Sequence, residues 1–254
     1  MFKPRRKNWK VVLTSQLALL GLLFPTIASA EDPSASPSPS PSVSASPEIS
    51  PSPSPSPSVI IDPSQFNIDD AASLQVVVNK QRPLNPIDYA PKRSKSVNLA
   101  KDAAKAYAKL KAAVTVNKLG TLCLNSGYRS YATQKATHAY QVSRGKQYGY
   151  DGETVAARPG HSEHQTGLAA DVSTIALGCR ITNFGASKAS KWIAKNAWQF
   201  GFVVRYPKGK EQITGYIWEP WHLRYVGLEL ATDMKAKGIK TLEEYFALPA
   251  APKY

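Results

Sequence analysis

Residues 31–58 read EDPSASPSPSPSVSASPEISPSPSPSPS, and no other stretch limits the folding of this chain as much. Proline fixes φ and removes a backbone donor, and serine brings no apolar surface to bury. Such a segment builds no helix, sheet or core. It is expected to be an extended, semi-stiff spacer reaching on the order of 80 Å at about 3 Å per residue. Holding a folded body away from a surface, and serving as a disordered tail with no role of its own, both suit this composition. What can fold around a sizeable core is then 59–254, a single domain.

The residues before the tract, MFKPRRKNWKVVLTSQLALLGLLFPTIASA, have the layout of an export signal. Lys3, Arg5, Arg6, Lys7 and Lys10 precede an apolar run from Val11 to about Phe24, and Ala28-Ser29-Ala30 follows the small-x-small cleavage pattern. The competing reading is an uncleaved membrane anchor. The run is short for a full span and Pro25 interrupts it, which favours cleavage after Ala30. The expected product is an exported protein, periplasmic or extracellular, with membrane contact only through an uncleaved signal.

The chain carries a formal charge of +14; without the five basic residues of 1–30 it is +9, and without Glu31, Asp32 and Glu48 it is +12 on the domain. A basic exported domain suits an anionic wall polymer. Nucleic acid is not expected, because export argues against it and no basic run is interleaved with aromatics. Cys123 and Cys179 lack C-x-x-C spacing. Free thiols would be the reading in a reducing compartment, whereas an exported chain with two cysteines is expected to pair them.

Periodicity places a strand at 74–80, a helix over 97–120 stopped by Gly120, and a strand at 121–126. A second helix is expected over 130–145, ending at its glycine, followed by a short strand at 168–173. In 187–201, Ala189, Trp192, Ile193, Asn196, Ala197 and Phe200 share one helical face, and Gly201 closes it. FVVRYP, YIWE and WHLRYV are strand-like, and Thr241 with Glu244 makes a capping box. There is no regular βαβ alternation and no internal repeat. The expected fold is α+β, with a small, largely antiparallel sheet flanked by helices.

Only four histidines occur, and two lie in GHSEHQTGLAADVS, 160–173. Gly167 allows a tight reversal after His164, and a following strand can return Asp171 beside it. Pro220 makes a helix interior unsuitable around WEPWHLRY, so Glu219 and His222 belong at a bend or strand start. His164, Asp171 and His222, with one position left to water, form the donor set of an open, catalytic zinc site, and Glu219 is placed to accept the water's proton. Histidine-rich loops and buried acids without any metal are the competing reading. Taken singly, H-x6-D and E-x-x-H are weak patterns; together in one exported domain they point to metal. His138 is expected to be a solvated surface group.

With these motifs the chain resembles the VanY-type D-alanyl-D-alanine carboxypeptidases: SEHQTGLAAD fits S-x-H-x-x-G-x-A-x-D, and EPWH fits the second motif. VNKQRPLNPIDYAP, SGYRSYATQ and NAWQFGFVVRYPKGKEQITGYIWEPWHLRYVG extend the likeness over roughly residues 74 to 246. The resemblance implies a zinc site on the sheet, held by His164, Asp171 and His222, with Glu219 as base. It implies Arg129 near the substrate carbonyl, with a loop-stapling ion pair as the alternative. Ser162 and Gln134 are implied substrate contacts, although Ser162 also suits a turn cap. His161 is either a support to the site or exposed, and Trp221 is expected in the core. The implied activity is zinc-dependent D,D-carboxypeptidase action, removing the C-terminal D-alanine from peptidoglycan stem peptides. Open alternatives are an L,D-carboxypeptidase or endopeptidase on the same scaffold, or a silent wall-binding module.

Overall fold

The structure, a computed structural model, describes residues 61–254. The expected signal (1–30) and spacer (31–58) lie outside the described residues. Among residues 61–254 no helix is long and apolar enough to cross a membrane.

The fold is α+β. Four strands, β1 (Leu122–Ser126), β2 (Ala169–Thr174), β3 (Phe202–Val204) and β4 (His222–Tyr225), form one antiparallel sheet in the order β1-β2-β4-β3. The longer helices are α1 (Lys101–Val116), α2 (Tyr131–Tyr148), α3 (Lys188–Asn196) and α5 (Leu228–Lys237), with single turns at α4 (Glu211–Thr214) and α6 (Leu242–Tyr245). Alternation along the strands sets the layers. Leu122, Ala170, Val172, Phe202 and Leu223 join Leu110 and Val114 of α1 and Ile193 of α3 in the main core. A smaller core joins α5 and α6 to Val77 and Val226. The opposite side of β2 and β4 carries Asp171, His222 and Arg224, all buried.

Two expected strands are absent. Residues 74–75 are half-buried and 76–80 buried, but the segment is unpaired as a strand, because side chains bind its carbonyls: Arg224 donates to Leu74 O and Val76 O, and Arg82 to Val77 O. Residues 216–219 are likewise irregular, anchored by Ile217 N to Thr154 O and Glu219 N to Tyr206 O. The first helix stops at Val116, before Gly120. The second runs through Gly145 to the left-handed cap Gly149. Gly145 serves close approach instead, since a Cβ there would lie 2.3 Å from Tyr150 O. The capping box forms, with Glu244 N donating to Thr241 Oγ1. Cys123 and Cys179 are joined by a disulfide. It fixes the turn at Gly178 and Cys179 to β1, and Asn125 Nδ2 donates to Cys179 O beside it.

Candidate metal centre

The strand register assembles the centre. Asp171 leaves β2 on the face opposite Ala170 and Val172, and His222 stands directly across from it on β4. His164 comes from a 3-10 turn, Glu163–Thr166, closed by Gly167 at φ +70. That reversal is tight, because Ala100 N donates to Gly167 O and a Cβ on Gly167 would lie 3.1 Å from the same nitrogen. The three side chains are buried, with donor atoms within 4.8 Å of one another.

His164 Nδ1 is hydrogen-bonded to Gly127 O at 2.7 Å, which leaves Nε2 free to face the centre. His164 Nε2 and Asp171 Oδ1 are buried and have no hydrogen-bond partner. Orphaned buried polar atoms are costly, so a pair converging on one point calls for a partner. His164 Nε2 lies 3.2 Å from Asp171 Oδ2, and His222 Nδ1 lies 3.3 Å from Asp171 Oδ1. Two ligands of a tetrahedral zinc ion sit about 3.4 Å apart. The imidazole–carboxylate set and its spacing therefore fit a divalent cation. Burial and the nearby Arg129 lower the His164 pKa to about 4, so its ring is neutral at pH 7. Burial opposes charge on His222 too, but the Asp171 and Glu163 carboxylates prevail and raise it to about 9.

Glu219 Oε2 is 3.6 Å from His222 Nδ1. Burial raises its pKa to about 8, the nearby Asp171 adding to the effect and His222 and Arg129 opposing it. The bend holding it is tied by Glu219 N to Tyr206 O and by His222 N to Glu219 O. Arg129 Nη2 lies 3.9 Å from Asp171, and its Nη1 donates to Gln134 Oε1 at 2.9 Å. Gln134 Nε2 donates in turn to Ala157 O, so both ends of that amide are engaged and steady the guanidinium. Ser162 is buried and opens onto the same cleft of about 660 Å³, which Arg129, Gln134, Tyr206, Tyr216 and Trp221 also line. Trp221 thus packs on the core and borders the cleft as well.

Sequence reasoning missed Glu163. Its Oε1 accepts from Arg205 Nε and Arg224 Nη1, each at 2.8 Å, and its Oε2 faces His222 Nε2 at 3.3 Å. Arg205 is further held by both oxygens of Glu243. Burial alone would raise the Glu163 pKa, but Arg224 and Arg205 hold it well below the usual carboxylate range. Glu163 thus braces one ring nitrogen of His222 while the other faces the centre, an arrangement typical of metal-binding histidines. The signal available in the sequence was a pair of arginines inside apolar strand segments, which require a buried acid. His138 is not a solvated group: its side chain is 18% exposed and pairs with Glu153 at 3.1 Å. His161 supports a neighbouring turn, with Nδ1 on Asn79 O and its ring edge-on to Tyr254.

A convergent imidazole–carboxylate set, an acid and an arginine in one cleft make the layout of a metallohydrolase. The VanY family model, described as D-alanyl-D-alanine carboxypeptidase, matches residues 96–228, more than half of the chain. The chain belongs to the VanY family. It is 47% identical over 123 residues to the putative carboxypeptidase YodJ of Bacillus subtilis (strain 168), covering 48% of this chain and 44% of that protein. The match thus spans less than half of that relative's length. Among solved structures, the LdcB LD-carboxypeptidase is 36% identical with a TM-score of 0.61, over 72% of this chain and 89% of that one. The vancomycin-resistance D,D-pentapeptidase VanY, solved in complex with Zn(II), is 31% identical with a TM-score of 0.58, over 69% and 99%.

Proposed function

We propose that this chain is an exported, zinc-dependent D,D-carboxypeptidase that removes the C-terminal D-alanine from peptidoglycan stem peptides. The observation that carries the reading is the pair of orphaned donors, His164 Nε2 and Asp171 Oδ1, converging beside Glu219 in a member of this family. His164 through Nε2, Asp171 and His222 through Nδ1 would hold the ion. Zinc, when bound, supplies Lewis acidity and lowers the pKa of water. Glu219, whose carboxylate form a bound cation would favour, accepts the proton of the attacking water and returns it to the leaving amine. Arg129, steadied by Gln134, stabilises the oxyanion that develops on the carbonyl. Ser162 borders the peptide. The +12 domain favours anionic wall material, and residues 1–30 direct the chain to it. A carboxylate placed as Glu219 is has no use in a silent binding module.

The likeness to LdcB favours a second reading, an L,D-carboxypeptidase on the same centre. Two synthetic stem peptides separate the readings, a pentapeptide ending in D-Ala-D-Ala and a tetrapeptide ending in a single D-alanine after an L-centre. D,D-activity releases free D-alanine from the pentapeptide, stops with chelator and returns with zinc. Release from the tetrapeptide alone supports the second reading. Release from neither by zinc-loaded protein refutes both.

A further inference from the structure

The face of α2 that enters the cleft continues beyond it. Gln134, Thr137 and Gln141 line the cleft. At about 100° per residue, Tyr148 falls between Thr137 and Gln141 around the helix axis, two turns further along, with Arg144 and Tyr140 beside it. Tyr140 and Tyr148 are 57% and 62% exposed, so neither packs the domain. The Arg144 guanidinium lies 5.6 Å from the Tyr140 ring centre and 5.2 Å from that of Tyr148, and donates to Tyr140 Oη at 3.2 Å. Two rings and a planar cation therefore form one outward-facing plate. Tyr150, at the mouth of the cleft, links plate and cleft through its hydroxyl, which donates to Gln141 Oε1. The helix carries Lys135, Arg144 and Lys146 and no acid.

We propose that Tyr140, Arg144 and Tyr148 are a landing surface for the N-acetylated glycan strand that carries the stem peptide. The proposal rests on the reading of the cleft as a stem-peptide site. From Gln134, beside Arg129, to Tyr148 the helix rises about 21 Å. Five extended residues span about 17 Å, which passes Tyr140, about 9 Å along the helix from Gln134, and ends short of Tyr148. A pentapeptide with its C-terminal end at the metal centre, running out along α2, delivers its sugar to the plate. The apolar C–H face of a pyranose ring stacks on tyrosine, and the guanidinium offers a fork of donors to acetamide and hydroxyl oxygens. An exposed aromatic and cationic surface on an acid-free helix, joined to the cleft, suits such a partner.

The test uses the zinc-loaded protein, a Tyr140→Ala/Tyr148→Ala variant and a Tyr140→Phe/Tyr148→Phe variant that keeps the rings. Binding is titrated with glycan strands stripped of their peptides. Turnover is measured on a free pentapeptide and on the same pentapeptide attached to its disaccharide. The wild type and the phenylalanine variant bind the stripped strands and prefer the disaccharide-linked substrate in kcat/KM. The alanine variant loses about tenfold in both, with kcat/KM on the free pentapeptide unchanged. Absence of binding to stripped strands by the wild type overturns the proposal. So does equal binding by the alanine variant, or binding only to a phosphate-bearing wall polymer. If no substrate releases D-alanine, the proposed activity fails, and the stripped-strand titration still decides this surface.

Discussion

Replacing Glu163 by glutamine removes one negative charge from a buried network and leaves its shape. Arg205 retains both oxygens of Glu243. Arg224 loses its carboxylate and keeps only the carbonyls of Leu74, Val76 and Tyr225. Breaking a buried ion pair by removing one partner costs about 3–5 kcal/mol, and the retained contacts place this variant at the lower end. Each kcal/mol shifts Tm by about 2–4 °C in a domain of this size, so Tm should fall by about 6–12 °C. The glutamine also weakens the brace on His222 Nε2, and losses of this kind lower metal affinity about 10–100-fold. Calorimetry of the metal-free protein reads the first effect; competition with a zinc chelator reads the second. A Tm within about 2 °C of wild type, together with unchanged zinc affinity, would refute the reasoning.

Glu219→Gln should retain zinc and Tm, because Glu219 pairs with neither Arg205 nor Arg224, while kcat falls about 10²- to 10⁴-fold; near-normal kcat with full zinc removes the base assignment. Denatured, unreduced protein should show no free thiols. Reduction of Cys123–Cys179, which are 56 residues apart, should cost up to about 4 kcal/mol, measured as a shift in urea midpoint. Glu163 and Glu243 have folded pKa values below the ordinary 4.5. Their contribution is complete above that pH and is lost as pH falls through the depressed values. Wild type should therefore lose stability relative to Glu163→Gln as pH drops below about 4.5, and a constant difference down to pH 2 would contradict it.

Local patterns disclosed most of the fold. The apolar alternation of β2, the one-sided face of α3 and the Thr241–Glu244 cap are each written in a few adjacent residues. His164, Asp171 and His222 were grouped by motif, and the β2–β4 register is what brings Asp171 opposite His222. The two absent strands had strand-like composition, but their carbonyls are taken by Arg224 and Arg82 and by loop contacts, none of which a local window contains. Gly145 resembled a helix stop because the backbone at Tyr150 that presses on it is invisible in the sequence. Glu163 escaped for the same reason: its partners are about forty and sixty residues away, at Arg205 and Arg224. Its charge could be assigned only once the strands had been brought together.

The sharing of one carboxylate oxygen between Arg205 and Arg224 also restricts how such a chain can change through descent. A neutral side chain at 163 strands a cation on β4, and a neutral side chain at 224 releases the carbonyls of 74–76. Each step alone costs several kcal/mol, so a lineage that departs from this arrangement passes most readily through paired replacements. Substitutions at 163, 205, 224 and 243 should thus be inherited as a block, whereas the exposed face of α2 is free to drift one residue at a time wherever it binds nothing.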